Sequence, residues 1–291
     1  MPTCLHPKLL SICHQCYAPP GFNAAAIGWA TGEPGPCGTE VDSALVGRIG
    51  RAIVVAYRGT LAPGGPNARL IIDDWINNAE TGMVPWPDVG EVHDGFFESH
   101  RALWPSVREA IVQRSAAAAP SAIIVTGHSK GGALAVLGAA AIRRKWPAVP
   151  VHVVTFAAPR AGGQSFADRY KTLGIPTLRY ENRADLVPYL PLGGAHPAAW
   201  SLLKALGVKR PVTGYVGVGD ALVAGPGLVE SSMAWAAIGW RLLLTRSLKS
   251  AVPLIAAHAI DGERTEYSKM AVAQAQRCAS DRHVECLAAG V

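Results

Sequence analysis

The apolar residues of this chain fall into short runs separated by longer mixed stretches, and that alternation predicts the fold class. Ile123, Ile124, Val125 and Thr126 are consecutive β-branched positions, which suits a strand buried on both faces. Gly131, Gly132, Ala133 and Ala135 follow. Side chains this small let a helix lie close against a sheet, and the helix is expected to run to Lys145, ahead of Trp146 and Pro147. Further strands are predicted over 44–46, 51–57, 151–156 and 177–181. Further helices are predicted over 8–18, 96–117 (interrupted near Pro105), 165–173 and 263–279. Strands alternating with helices argue for an α/β fold with a mostly parallel central sheet and helices on both faces. Residues 61–92 read as irregular, given Pro63, Gly64, Gly65, Pro66, Pro85 and Pro87. Residues 192–257 read as an insertion within a single domain spanning 1–291. In that insertion 211–223 looks strand-like and 233–244 is strongly apolar.

Composition narrows the classes. At 291 residues, 49% hydrophobic and 16% charged, the chain is long and apolar enough for one large core, and extended disorder is excluded. The densest apolar stretch, Met233 to Leu244, is too short to cross a membrane and carries Arg241, so no transmembrane segment is expected. The net charge is +6. Its tight basic run, Arg143-Arg144-Lys145, falls where a helix should end, and cations there complement the macrodipole. Nucleic acid is therefore not an expected partner. The start of the chain lacks the charged-then-apolar build of a leader, which taken at face value predicts a cytoplasmic protein; a secreted one whose leader was removed would read the same way. Cys13 and Cys16, with Cys4 and His6 nearby, have the spacing of half a zinc site, but no second pair follows. They are expected instead to pack as small hydrophobes on the apolar face of the first helix. No cofactor or metal is expected.

The chemistry centres on Ser129. Gly127 and Gly131 flank it at two residues on either side, between the predicted strand and helix. This is the Gly-x-Ser-x-Gly nucleophile elbow, in which a strained turn projects the serine oxygen and a side chain at either glycine would clash with strand or helix. A serine hydroxyl needs a base, and the base an orienting carboxylate. In sheet hydrolases these follow in the order Ser, Asp or Glu, His. Asp185 is the favoured acid, because it follows the 177–181 strand and Leu186, Val187 and Pro188 bury its turn; Asp168 sits on a helix as a solvated charge. His258 is the favoured base, with His196 as runner-up and His283 in the charged tail. His128 is set aside, because neighbouring side chains at a tight turn diverge. The oxyanion donors are expected to be the backbone N–H of Lys130 and that of Thr60, which follows Gly59 after the 51–57 strand. The Lys130 ammonium is expected to point to solvent.

Several stretches together resemble the class 3 lipase family of fungal-type triacylglycerol lipases and their bacterial relatives. Tyr57-Arg58-Gly59-Thr60 resembles its oxyanion segment, and Asp74-Trp75-Ile76-Asn77-Asn78 its Trp-Ile-x-Asp/Asn stretch. Val92-His93-Asp94-Gly95-Phe96, the elbow, Thr155-Phe156-Ala157-Ala158-Pro159-Arg160 and Asn182-Arg183-Ala184-Asp185-Leu186-Val187-Pro188 follow in the family's order. His258 with Tyr267 resembles its terminal histidine region. The resemblance implies the α/β-hydrolase fold and metal-free hydrolysis of carboxylic esters. It carries over Ser129, Asp185 and His258 as the triad and Thr60 as an oxyanion residue. The expected substrate is an ester or lipid, met at a lipid–water interface, with a lid within 61–92; Met83 to Trp86 and Met233 to Leu244 are candidates for a lid or acyl pocket. The alternatives are an esterase for short or aromatic soluble esters, a peptidase or amidase using the same triad, and a lipid-binding or interaction protein on a hydrolase scaffold that has lost catalysis.

Overall fold

The computed structural model describes residues 4–18, 23–39, 42–60, 82–185, 187–191, 214–224, 258–260 and 265–280. Helix α1 (His6–Gln15) opens the chain. Strands β1 (Gly35–Gly38), β2 (Ser43–Ile49) and β3 (Ala52–Tyr57) follow, then β4 (Met83–Trp86) and β5 (Gly90–His93). Helix α2 (Asp94–Ala117), β6 (Ile123–His128), α3 (Lys130–Lys145) and β7 (Val151–Phe156) come next. Then come β8 (Gly162–Gly163), α4 (Gln164–Thr172), β9 (Thr177–Asn182), β10 (Tyr215–Val216), β11 (Asp220–Ala224) and α5 (Glu266–Ser280).

Among the described residues the main sheet has the strand order β1-β2-β3-β6-β7-β9-β11. The β1–β2 and β2–β3 pairs are antiparallel, and every pair from β3 onward is parallel. Strand β3 is buried at every position because each face meets its own core. Ile53, Val55 and Tyr57 join Phe96, Leu103 and Val107 of α2, Leu134 and Leu137 of α3 and Phe166 of α4. Ala52, Val54 and Ala56 face the other way, against Leu9 and Ile12 of α1 and Tyr267 and Met270 of α5. Full burial of one such aliphatic side chain stabilises the fold by about 1.5–3 kcal/mol, which is why near-continuous apolar runs mark these strands. The expected α/β-hydrolase architecture, a mostly parallel sheet with helices on both faces, is the one found.

Two local expectations are corrected. Helix α2 runs unbroken through Pro105. Pro105 and Arg101 are both exposed, so the Arg101 carbonyl that loses its intrahelical donor turns to water instead of breaking the helix. Residues 83–93 are not irregular: β4 and β5 form a hairpin in a second antiparallel sheet, ordered β10-β8-β5-β4. Trp86 packs there against Phe97 and His100, so Met83 to Trp86 is sheet. The 211–223 stretch divides between β10 in this small sheet and β11 at the edge of the main one. Residues 61–81, most of the expected insertion, and the apolar stretch 233–244 lie outside the described residues.

Cys13 and Cys16 are buried thiols. The Cys13 Sγ is 3.3 Å from Thr126 Oγ1 and the Cys16 Sγ 3.5 Å from the Ala56 carbonyl; burial pushes the Cys13 thiol up to about 12. They tie α1 to the sheet as small hydrophobes. Among the described residues no helix is long and apolar enough to cross a membrane.

Candidate active site

The parallel strands deliver their C-terminal ends to one edge, where open α/β sheets place their ligands. Ser129 stands between β6 and α3 at φ 58°, ψ −135°, a region that L residues rarely occupy and that costs on the order of 1–3 kcal/mol. The turn is held by the Ser129 N–H donating to the Phe156 carbonyl at 3.0 Å and the Gly132 N–H donating to the Ser129 carbonyl at 2.8 Å. A Cβ on Gly127 would lie 2.1 Å from the Gly131 carbonyl oxygen, and one on Gly131 would lie 2.1 Å from that of Tyr57. Both elbow glycines are therefore required by backbone contact.

The turn after β3 presses on the same point. A Cβ on Gly59 would meet the Tyr17 hydroxyl at 2.2 Å, the His128 carbonyl oxygen at 2.7 Å and the Ser129 Cβ at 3.0 Å. Thr60, partly buried, follows directly. Lys130 begins α3 and supplies one of the unsatisfied first-turn N–H groups. Its ammonium does not point to solvent as expected: Nζ lies 2.8 Å from Asp42 Oδ1, with the two side chains 22% and 20% exposed. The Asp42 carboxylate balances a cation that would otherwise oppose the helix dipole.

Asp185 follows β9, and the structure brings it to His258 across 73 positions, with Oδ2 2.8 Å from Nδ1. The carboxylate is fully buried and takes two further donors. The Val187 N–H reaches Oδ1 at 2.9 Å and the Tyr267 hydroxyl reaches Oδ2 at 2.7 Å. Charge-assisted hydrogen bonds of this kind offset the desolvation of a buried anion. Because a carboxylate only accepts, Nδ1 of His258 carries the hydrogen, and Nε2 is the basic nitrogen of the neutral ring.

Two residues to which the sequence reading gave no role complete the cluster. Tyr267 donates to Asp185 and accepts from the Asn182 N–H at 3.2 Å. Burial first, then the Asp185 charge, raise its phenol well above the ordinary range, so it remains a donor. Its only signal in the sequence was its place in the terminal histidine region. His128, set aside as a base, lies with its ring 4.6 Å from that of His258. Its Nδ1 is 2.8 Å from the Tyr17 hydroxyl and its Nε2 is 2.9 Å from the His258 carbonyl oxygen. Asp168 remains on α4, accepting from Gln164 at 2.7 Å, and Glu181, two residues from Arg179, pairs with it at 2.7 Å. His196 and His283 lie outside the described residues.

The arrangement provides a strained serine, an imidazole oriented by a buried carboxylate, and a helix N-terminus facing a glycine turn. Those are the parts of nucleophilic acyl transfer. Residues 54–194 match the model of the lipase (class 3) family. The lipase of Rhizomucor miehei is 29% identical over 160 residues, which cover 53% of this chain and 40% of that protein. The chloroplastic phospholipase A1-Igamma2 of Arabidopsis thaliana is 30% identical over 171 residues, covering 50% of this chain and 32% of that protein. The chain thus spans well under half the length of these curated relatives. The solved structure of the Rhizomucor miehei triacylglyceride lipase superposes with a TM-score of 0.57 at 22% identity, over 75% of this chain and 78% of that one, a likeness of fold. The stretch that holds the elbow, the buried carboxylate and the turn after β3, residues 54–194, belongs to the lipase (class 3) family.

Proposed function

We propose that this chain is a carboxylic ester hydrolase of lipase type that cleaves acylglycerol esters through an acyl-enzyme on Ser129. The observation that carries the reading is the fully buried Asp185 carboxylate on His258 Nδ1 at 2.8 Å, gathered at the strand ends where the elbow stands. In the proposed cycle Nε2 of His258 takes the Ser129 proton as Oγ attacks the ester carbonyl, and Asp185 stabilises the resulting imidazolium. The N–H groups of Thr60 and Lys130 bind the oxyanion; one such donor is worth about 10²–10³ in rate. The imidazolium then protonates the leaving alcohol. Water, deprotonated by His258, releases the carboxylic acid and restores Ser129.

The matched relatives include a lipase and a phospholipase A1, so glycerolipid esters are the substrate class they share. A p-nitrophenyl ester series from acetate to palmitate tests the assignment. Turnover should rise with chain length and be abolished by Ser129→Ala. A fall beyond butyrate would assign a short-ester esterase instead, and turnover retained by Ser129→Ala would reject the nucleophile.

A further inference from the structure

His128 uses both ring nitrogens, and its partners decide which one carries the hydrogen. The His258 carbonyl oxygen, 2.9 Å from Nε2, can only accept, so Nε2 is the donor. In a neutral ring Nδ1 must then accept, and the Tyr17 hydroxyl, 2.8 Å away, donates to it. The two imidazoles are tilted at 36° with centroids 4.6 Å apart. His258 is thereby held twice, by Asp185 at its ring and by His128 at its main chain.

His128 is the last residue of β6 and is joined to Ser129 by a single peptide bond. The ring that grips the base is thus fixed to the strand that carries the nucleophile. We infer that His128 is a positioning residue for ester hydrolysis: as the neutral Nε2–H tautomer it clamps the His258 carbonyl and sets where that imidazole meets Ser129, and Tyr17 fixes the tautomer. This rests on the proposed hydrolase reading and deepens it.

The clamp works only while His128 is neutral, because a second cation stacked on His258 would oppose the imidazolium formed during the reaction. Burial, then His258 itself and His14 of α1, push the His128 pKa well down. Tyr17, also on the α1 side, stays a protonated donor because burial raises its phenol far above the ordinary range. Arg58, in the turn after β3, is the nearby cation that partly offsets that rise.

The test uses the whole chain with His128→Phe, His128→Gln and Tyr17→Phe, assayed on p-nitrophenyl butyrate beside thermal melting and labelling by a fluorophosphonate. His128→Phe keeps a ring but removes both hydrogen bonds. It should lower kcat by about 10- to 100-fold with KM nearly unchanged, as expected when reacting groups are displaced by a fraction of an ångström. His128→Gln restores an N–H donor toward the same carbonyl and should recover most of the loss. Tyr17→Phe should lower kcat less, again at unchanged KM. A folded His128→Phe chain with wild-type kcat, or a His128→Gln chain no better than His128→Phe, overturns the clamp. If His128→Phe does not fold, Tyr17→Phe decides: lowered kcat at wild-type melting temperature supports the clamp, and unchanged kcat overturns it. A wild-type chain that neither turns over the ester nor takes the label rejects the hydrolase reading, and the clamp with it. A wild type that labels beside an unaffected His128→Phe rejects the clamp alone.

Discussion

Acid should destabilise this protein through histidines that the fold buries as neutral rings, and His100 is the cleanest of them to isolate. Burial lowers the pKa of both His100 and His6 to about 4, from 6.5. A depressed folded value means that the unfolded chain binds the proton more readily. The associated stability is therefore fully present above pH 6.5 and is lost as pH falls toward 4. At pH 5 the linkage relation gives about 2 kcal/mol for each ring, hence about 4 kcal/mol for the pair. Buried His128, whose pKa is also pushed down, acts in the same direction. Against a total stability of roughly 5–15 kcal/mol, the melting temperature should fall on the order of 10 °C between pH 7.5 and 5. His100 sits among Trp86 at 5.3 Å, Trp104 at 5.8 Å and Phe97 at 6.5 Å. Its Nδ1 has no hydrogen-bond partner among the described residues. His100→Phe thus removes a titration and forfeits no hydrogen bond at Nδ1. In urea melts at several pH values, its stability relative to wild type should improve by about 1 kcal/mol for each pH unit between 6.5 and 4.5. The slope is the readout, since the larger ring can shift the absolute value through packing. Two curves that run parallel through this window would refute the reasoning.

Three other outcomes follow from contacts at the site. Tyr267→Phe removes a donor from the buried Asp185 carboxylate and an acceptor from the Asn182 N–H; chemical melts should show a loss of about 2–4 kcal/mol, with kcat reduced more than KM is raised. Lys130→Ala keeps the backbone N–H but breaks the partly exposed pair with Asp42. It should cost no more than about 1 kcal/mol and leave kcat within a few-fold, whereas a loss of about 10²-fold or more would place the ammonium itself in the reaction. Gly131→Ala drives a Cβ to 2.1 Å from the Tyr57 carbonyl oxygen, so soluble expression and activity should both collapse, while Gly174→Ala, with open space around it at φ 61°, should cost about 1–2 kcal/mol of backbone strain alone.

The readable and unreadable parts of this site separate by the range of the forces involved. The elbow was legible because its demands are local: a backbone near φ 58° at Ser129 and two glycines whose added Cβ atoms would strike backbone within the same turn or the adjoining strand end. The β-branched runs of β3, β6 and β7 were legible because burial on both faces leaves no polar position to break the pattern. The expected break at Pro105 failed because the missing hydrogen bond falls on a solvated face, and propensity alone does not report which face is wet. The hairpin of β4 and β5 was hidden because Pro85 lies within it, in an edge strand, where a missing N–H is tolerated.

Short-range sterics and burial patterns alone placed the serine elbow, the runs of the parallel strands and the turn that carries Asp185. Packing of α1 and α5 on one face of the sheet settled the rest. It brings Tyr17 to His128 across 111 positions, Tyr267 to Asp185 across 82 and the His258 carbonyl to His128 across 130. Each of these is a directional contact of about 3 Å between residues far apart in the chain. Such a distance exists only once the helices have docked, because hydrophobic burial brings the segments together without specifying which polar atoms will face each other.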